Sequence, residues 1–207
     1  MSAGGDLATL AEAIRHAIAC GVDWVQIREK DLSGRALVGV ARDGVATARE
    51  AGARILVNDR VDVSLAAGAA GVHLGRESLP VGDVARWRDE RPKRGETAPR
   101  DFWIGASCHS VEEAEAAERD GANYIIFGPV FETPSKMKYG APQGVEKLRT
   151  VCERVKSPVL AIGGISVENA GECVRAGAAG IAAIRLFQEV GEAENLRERI
   201  RRMREAM

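Results

Sequence analysis

The sequence NYIIFGPVFETPSK, residues 123–136, contains the pattern on which the fold prediction depends. It opens with an apolar run rich in strand-forming residues, turns through a Gly-Pro pair and ends in hydroxyl and ammonium groups. In sheets of parallel strands, ligands lie beyond the carboxyl ends of the strands, so a buried strand leading into such a loop indicates an anion-binding edge. A core strand followed by an ordinary polar surface loop is the alternative.

A short unit recurs along the chain: a small residue, glycine, another small or apolar residue, and then an apolar run. Glycine ends a helix by adopting the left-handed conformation. An apolar run without alternation is typical of a strand buried on both faces. Each unit therefore predicts the end of a helix followed by a parallel strand. The five copies are CGVDWVQIR (20–28), AGARILVND (51–59), AGAAGVHLG (67–75), DGANYIIFG (120–128) and AGAAGIAAI (176–184).

Two further strands, at 103–107 and 159–165, lack the glycine, and amphipathic helical patterns separate the strands. Asp6 is a candidate N-cap for the first helix. Ser110 with Glu113 forms a capping-box pattern. The charged tail from about 192 to 206 is helical in pattern, whereas the charged stretch 86–100, which contains two prolines, predicts an exposed insertion.

One leading helix and seven strand–helix units predict an α/β fold with a parallel sheet. The count matches a TIM (β/α)8-type barrel whose first strand is missing or atypical. Either the chain starts late, or residues 1–5 replace that strand, or the barrel has an open seam. An open doubly wound sheet is the alternative, but no dinucleotide-binding glycine fingerprint follows any strand. A length of 207 residues fits a single domain, 1–207.

The composition limits the kinds of binding partner and the cellular compartment that we expect for this protein. The chain has 29 Lys and Arg against 30 Asp and Glu, which argues against a broad nucleic-acid-binding surface but not against a small basic pocket. There is no apolar run long enough for a membrane span and no secretion signal. The four cysteines lack zinc-site spacing and predict reduced, mostly buried thiols, so we expect a cytoplasmic protein.

Polar side chains follow the predicted strands at their carboxyl ends. Cationic side chains, hydroxyl groups and a Gly-Gly turn at one rim favour a small phosphorylated substrate, because Arg and Lys form charge-assisted hydrogen bonds with phosphate and glycine lets the backbone approach it. Asp59 offers Mg²⁺ the oxygen ligand that this ion prefers. The full set is Gln26, Arg28, Lys30, Asn58, Asp59, His73, Ser107, His109, Thr133, Ser135, Lys136, Gly163, Gly164 and Arg185.

Structural interpretations remain open for several of these residues. Arg28 and Lys30 could form a solvated strand end, and His73 could be a packed core histidine. His109 could cap the following helix. Arg185 could pair with a helix carboxylate. The sequence contains no Ser-His-Asp or HExxH arrangement that would indicate a hydrolase.

Six motifs together resemble those of thiamine phosphate synthase and its TenI-like relatives, in the same order, from about residue 22 to 184. They are QIREK (26–30), VNDR (57–60), GVHLG (71–75), GASCHS (105–110), FGPVFETPSK (127–136) and AIGGIS (161–166). The resemblance implies a TIM-barrel transferase of thiamine biosynthesis. Such an enzyme joins hydroxymethylpyrimidine diphosphate to thiazole phosphate with Mg²⁺ and releases diphosphate.

The resemblance also implies a role for each motif residue. Those flanking the pyrimidine would be Gln26 and His73, and Asp59 would ligate Mg²⁺. Those holding the diphosphate would be Arg28, Lys30, Asn58, Ser107 and Lys136, of which we expect Arg28, Ser107 and Lys136 to be catalytic. Those holding the thiazole phosphate would be Thr133, Ser135 and Gly164, with Gly163 in the same turn.

Three departures from the family pattern leave alternatives open. Ser78 stands where the synthases have a second Mg²⁺-binding aspartate, Arg185 stands where a serine usually ends the last strand, and the first strand with its acidic tip has no counterpart. A TenI-like thiazole tautomerase is the first alternative, although Pro129 replaces its proposed histidine. A non-catalytic barrel that binds thiazole or thiamine phosphate is the second. A seam left by a missing strand would favour a homodimer.

Overall fold

The computed structural model describes residues 6–90, 101–132, 141–184, 186 and 193–207. Over these ranges it contains seven strands and eight helices in alternation, divided between two compact units. The first unit consists of the described residues up to His73, with 101–103 and the first part of the last helix. The second consists mainly of those from Leu74 to Ala183, with the end of that helix.

The first unit alternates helices and parallel strands from its start. Its elements are α1 (Leu7–Ala19), β1 (Trp24–Ile27), α2 (Gly34–Ala51), β2 (Arg54–Asn58), α3 (Val61–Ala67) and most of β3 (Gly71–Leu74). β1 pairs with β2, and β2 with β3, both in parallel. Ile14 on α1 is buried in one cluster with Val25 and Ile55 of the neighbouring strands, so the apolar stripe of the helix covers the sheet.

The second unit continues the alternation. Its elements are α4 (Val81–Glu90), β4 (Trp103–Cys108), α5 (Val111–Arg119), β5 (Tyr124–Phe127), α6 (Gly144–Arg154), β6 (Val159–Ile162), α7 (Ala170–Arg175) and β7 (Gly180–Ala182). β4 pairs with β5, β5 with β6, and β6 with β7, all in parallel. Phe127 and Leu148 are fully buried in its core. The last helix, α8 (Ala193–Ala206), confirms the predicted helical tail.

The recurring glycine unit has the predicted structure in all five copies. Each glycine follows a helix, has a φ between 68° and 99°, and precedes a strand. This left-handed conformation carries little steric cost only for glycine, which explains why the residue recurs at these points. The five residues are Gly21, Gly52, Gly68, Gly121 and Gly177.

The predicted helix caps are present. Asp6 accepts a hydrogen bond from the amide of Ala8 at 3.1 Å, at the start of α1. Ser110 accepts one from the amide of Glu113 at 3.2 Å, and the Glu113 carboxylate accepts one from the amide of His109 at 2.7 Å. Side-chain caps of this kind typically stabilise a helix by about 1 kcal/mol each.

Other sequence predictions have mixed outcomes. The predicted insertion at 86–100 is wrong over residues 86–90, which belong to α4, and its remainder lies outside the described residues. Residues 1–5, proposed as a substitute first strand, also lie outside them. The prediction of a single domain stays a prediction. The four cysteines are free and three are buried, as expected. Among the described helices, none has the length and apolar character needed to cross a bilayer.

Candidate active site

Two exposed cationic residues follow the end of β1. Arg28 and Lys30 are exposed, whereas Glu29 between them is 8 % exposed. Because β1 ends at Ile27, the prediction that Arg28 and Lys30 project together stays a prediction. The Glu29 carboxylate accepts a hydrogen bond from the amide of Lys30 at 3.1 Å, so a buried acid fixes the backbone between the two cations. Sequence reasoning missed this acid, although the alternation itself signals it. Gln26, two residues before Arg28, is half-buried.

The ends of β2 and β3 bring three predicted site residues together. Asn58 and His73 occupy paired positions of the parallel ladder. The next residue, Asp59, donates its amide hydrogen to the carbonyl oxygen of His73 at 2.9 Å. Asp59 has a φ of 69°, which is uncommon for a residue with a side chain. Strained backbone of this kind is often found at functional sites, where the surrounding structure maintains it.

His73 is buried and uncharged near neutral pH. It is 3 % exposed, and this burial lowers the pKa of its imidazole to about 4, while the negative charge of Asp59 acts in the opposite direction. Desolvation prevails because the imidazole is almost entirely removed from water. The interpretation of His73 as a packed core histidine is therefore correct, and its ring is neutral near pH 7.

We expect His73 to make stability depend on pH. The pKa of its imidazole is about 4 when folded against an ordinary 6.5, so its contribution is complete above pH 6.5 and is lost as pH falls toward 4. Between pH 7 and 5, wild type should lose about 2 kcal/mol of unfolding free energy more than His73→Gln, measured by urea denaturation in EDTA. Equal losses in the two proteins would contradict this prediction.

In the second unit, Ser107 and His109 lie at the end of β4. Ser107 is half-buried and pairs with Ile126 of β5. The ring of His109 bonds through Nδ1 to the carbonyl oxygen of Gly128, where β5 ends. Because a carbonyl oxygen only accepts, the Nδ1–H group of His109 is the donor in this hydrogen bond. The ring of His109 therefore joins two strand exits. The interpretation of His109 as a helix cap is wrong, because Ser110 is the N-cap of α5 and the Glu113 carboxylate accepts the hydrogen bond from the His109 amide.

The Gly163–Gly164 turn follows β6 and packs against the exit of β5. Both residues have positive φ, 98° and 65°. A Cβ atom on Gly163 would lie 2.5 Å from the Cβ of Pro129, and one on Gly164 would lie 2.4 Å from the carbonyl oxygen of Glu132. The amide of Phe131 donates to the carbonyl of Gly163 at 3.0 Å. The turn thus adjoins the segment that leads directly to Thr133, and only glycine fits there.

Four predicted site residues lie outside the described residues. They are Thr133, Ser135, Lys136 and Arg185. Their roles in binding and catalysis stay predictions.

The carboxylates present are compatible with Mg²⁺ only if the substrate supplies further ligands. Over the described residues, no group of three or more His, Cys, Asp or Glu side chains could hold a metal ion. Ser78, at the position of the second family aspartate, accepts a hydrogen bond from the amide of Gly75 at 2.7 Å and so stabilises its own turn. Mg²⁺ often binds one or two carboxylates together with water and substrate phosphates. A carboxylate at Asp59 fits that kind of site.

A groove of about 420 Å³ lies between α2 and α3. Two of its arginines already have protein partners: Arg60 pairs with Asp62, and Arg42 donates to the carbonyl oxygen of Ala66. None of the predicted site residues lines this groove.

Comparisons with known proteins identify the family. The family model for thiamine monophosphate synthase matches residues 2–187. A relative from Geobacter sulfurreducens, named putative thiamine-phosphate synthase, is 46% identical over 181 residues, which are 87% of this chain and 79% of the relative. The thiamine-phosphate synthase of Methanocella arvoryzae is 43% identical over 176 residues, 85% of this chain and 78% of the relative.

A solved structure confirms the fold class. The thiamine phosphate pyrophosphorylase from Pyrococcus furiosus matches with a TM-score of 0.80 and 33% identity, over 95% of this chain and 90% of that one. The predicted α/β fold of the TIM-barrel type is therefore correct, with seven strands in the described part of the chain. On the family match and the identities to these relatives, the chain belongs to the thiamine monophosphate synthase family.

Proposed function

We propose that the chain is a thiamine-phosphate synthase, a transferase that joins hydroxymethylpyrimidine diphosphate to thiazole phosphate and releases diphosphate. One observation carries the proposal. Each of the six family motifs begins in or at the end of one strand from β1 to β6 and extends beyond that strand's carboxyl end. Ligands bind at this end of parallel strands, so the shared residues stand where a substrate would be held. The names of the relatives support the same activity.

The cations after β1 suit a reaction in which a diphosphate leaves. As the carbon–oxygen bond to the diphosphate breaks, negative charge grows on the departing oxygens. The electron-poor pyrimidine carbon then forms its new bond to the thiazole nitrogen. Arg28 and Lys30, which are exposed on either side of the buried Glu29, would stabilise that growing charge, with the side-chain amide of Asn58 as a further donor. Preorganised charges accelerate a reaction because they bind the transition state more strongly than the ground state.

Mg²⁺ is part of the proposal, with Asp59 as the protein ligand. When bound there, the ion would neutralise diphosphate charge. The left-handed backbone of Asp59 and its amide bond to the His73 carbonyl set the position of the carboxylate. The neutral ring of His73 and the half-buried Gln26 would contact the pyrimidine.

The Gly163–Gly164 turn is the proposed site for the thiazole phosphate. Considering only the described residues, neither glycine amide donates a hydrogen bond to protein. Successive amides in a turn with left-handed residues form a concave anion-binding surface. Ser107, Thr133, Ser135, Lys136 and Arg185 complete the proposed set of phosphate-binding residues.

The test is a coupling assay with purified protein, both substrates and Mg²⁺. We expect equimolar thiamine phosphate and diphosphate, and we expect EDTA to stop the reaction. Because Ser78 replaces the second carboxylate of the family, two other results would each identify a different function. Isomerisation of a thiazole phosphate without coupling would identify a tautomerase, and binding without turnover would identify a binding protein. Either result would overturn the synthase proposal.

We also infer a homodimer in the cytoplasm. The thiols are free, which supports a reducing compartment. The sequence has no clear counterpart of the family's first strand, and a seam left by a missing strand would favour association with another chain. Sedimentation at several concentrations measures the state, and a monomer throughout would contradict the dimer.

A further inference from the structure

Asn169 occupies the N-cap position of α7 but does not cap that helix. Asparagine at an N-cap usually accepts a hydrogen bond from the first helical amides. Here the side chain makes no such bond. Instead its Nδ2 donates to the carbonyl oxygen of Gly164 at 3.0 Å, and its Oδ1 accepts from the amide of Ser166 at 2.8 Å. Both ends of the side chain therefore stabilise the turn between β6 and α7.

The bond from Asn169 to Gly164 fixes a complete peptide plane. A trans peptide is planar, and its carbonyl and amide groups point in opposite directions. Holding the carbonyl of Gly164 therefore sets the direction of the Ile165 amide. In the same way, the bond from Phe131 to the carbonyl of Gly163 sets the direction of the Gly164 amide.

The two amides oriented in this way are available to a ligand. Within the described parts of the chain, the amides of Gly164 and Ile165 donate to no protein acceptor. The carbonyl groups of the same two peptide planes are held by hydrogen bonds from Asn169 and Phe131. The amide donors therefore need little rearrangement when an anion binds. Donors that are already oriented bind charge more effectively than donors that must first be ordered.

We propose that Asn169 is a positioning residue for the phosphate subsite. It aims the Ile165 amide, beside that of Gly164, at the phosphate of the thiazole substrate without touching the substrate itself. This inference rests on the proposed function, which assigns that phosphate to the Gly163–Gly164 turn. It adds one donor, the Ile165 amide, and the side chain that holds it.

The test compares a phosphorylated ligand with its unphosphorylated analogue. Asn169→Ala should raise the Kd for thiazole phosphate about tenfold or more, while the Kd for the thiazole alcohol stays within about twofold. The KM for thiazole phosphate should rise in parallel. The KM for the pyrimidine diphosphate and kcat should stay within about twofold, because the turn does not hold the leaving group.

A second variant distinguishes a loss of phosphate binding from misfolding. Asn169→Ser keeps a polar side chain at this position, but that shorter side chain cannot reach the carbonyl of Gly164. It should show the same selective loss with a nearly unchanged Tm. Glu172→Gln, an exposed change on the same helix, is the matched control and should bind both ligands like wild type.

Two results would overturn the role of Asn169. One is wild-type affinity for thiazole phosphate in both Asn169 variants. The other is equal weakening for the phosphate and the alcohol, which would indicate a general structural role. Failure of the proposed function is a separate result, since it requires that the wild-type protein itself forms no thiamine phosphate.

Discussion

Asp59→Asn is expected to lower kcat by roughly 10²- to 10³-fold while leaving the free energy of unfolding nearly unchanged. The change removes the negative charge proposed to hold Mg²⁺. It keeps the shape of the side chain, and asparagine tolerates the left-handed backbone found at this position, φ 69°. Raising the Mg²⁺ concentration should restore part of the rate, because the weakened site would then be filled more completely. Steady-state kinetics over a range of Mg²⁺ concentrations is the measurement.

Two further substitutions separate charge from backbone strain. Asp59→Ala should lose the same activity and also about 1 kcal/mol of stability, because a Cβ without a compensating polar group is disfavoured at this φ. Asp59→Gly should be equally inactive but no less stable than wild type, because glycine adopts the conformation freely. Activity would thus be lost in all three variants, while stability would follow the backbone preference.

Asp62→Asn is the matched control for this series. Asp62 is three residues away and pairs with Arg60 at 2.7 Å in an exposed position. Exposed pairs contribute about 0–1 kcal/mol, so both activity and stability should stay close to wild type. Wild-type kcat and Mg²⁺ dependence in Asp59→Asn would remove Asp59 from the proposed site.

The second large effect is expected at the diglycine turn. Gly163→Ala and Gly164→Ala each force a side chain into the left-handed region and into contact with the residues after β5. The left-handed conformation costs about 1–2 kcal/mol and overpacking typically adds 1–3 kcal/mol. We expect Tm to fall by roughly 5–10 °C. The KM for thiazole phosphate should rise more than about tenfold, since the amides that face the phosphate would move.

Two control glycines match the backbone angle without the contact. Gly21 has a φ of 96° and Gly68 a φ of 68°, close to the values of Gly163 and Gly164, but nothing lies within 4 Å of an added Cβ. Gly21→Ala and Gly68→Ala should therefore lose only the conformational part of the stability and keep a wild-type KM. If the controls raised the KM as much as the turn variants, the effect would be general destabilisation instead of a damaged phosphate site.

The sequence predicts most of the framework because the fold repeats one local signal. A helix-ending glycine followed by an unalternating apolar run depends only on neighbouring residues, and it located five of the seven strands. Capping at Asp6 and Ser110 follows from side chains within three residues of each amide that they bind.

What the sequence does not predict depends on contacts between residues far apart in the chain. The bond from the His109 ring to Gly128 joins residues 19 positions apart. Gly163 and Pro129 are 34 positions apart, and their close approach depends on how the two strand exits pack. The positive φ of Asp59 cannot be predicted from the local sequence, because the left-handed region is a minority conformation of aspartate that the surrounding structure has to select. The hydrogen bond from the amide of Gly75 to the hydroxyl of Ser78 was also not predicted, because Ser78 was considered only as the replacement of a metal-binding aspartate.

The backbone at position 59 also bears on how this chain would respond to engineering for heat resistance. A procedure that ranks substitutions by folding free energy alone would favour glycine there, since glycine has no steric conflict at a φ of 69°. The selected protein would melt no earlier and would have lost its proposed metal ligand. Thermostability libraries of this chain should therefore hold that position fixed.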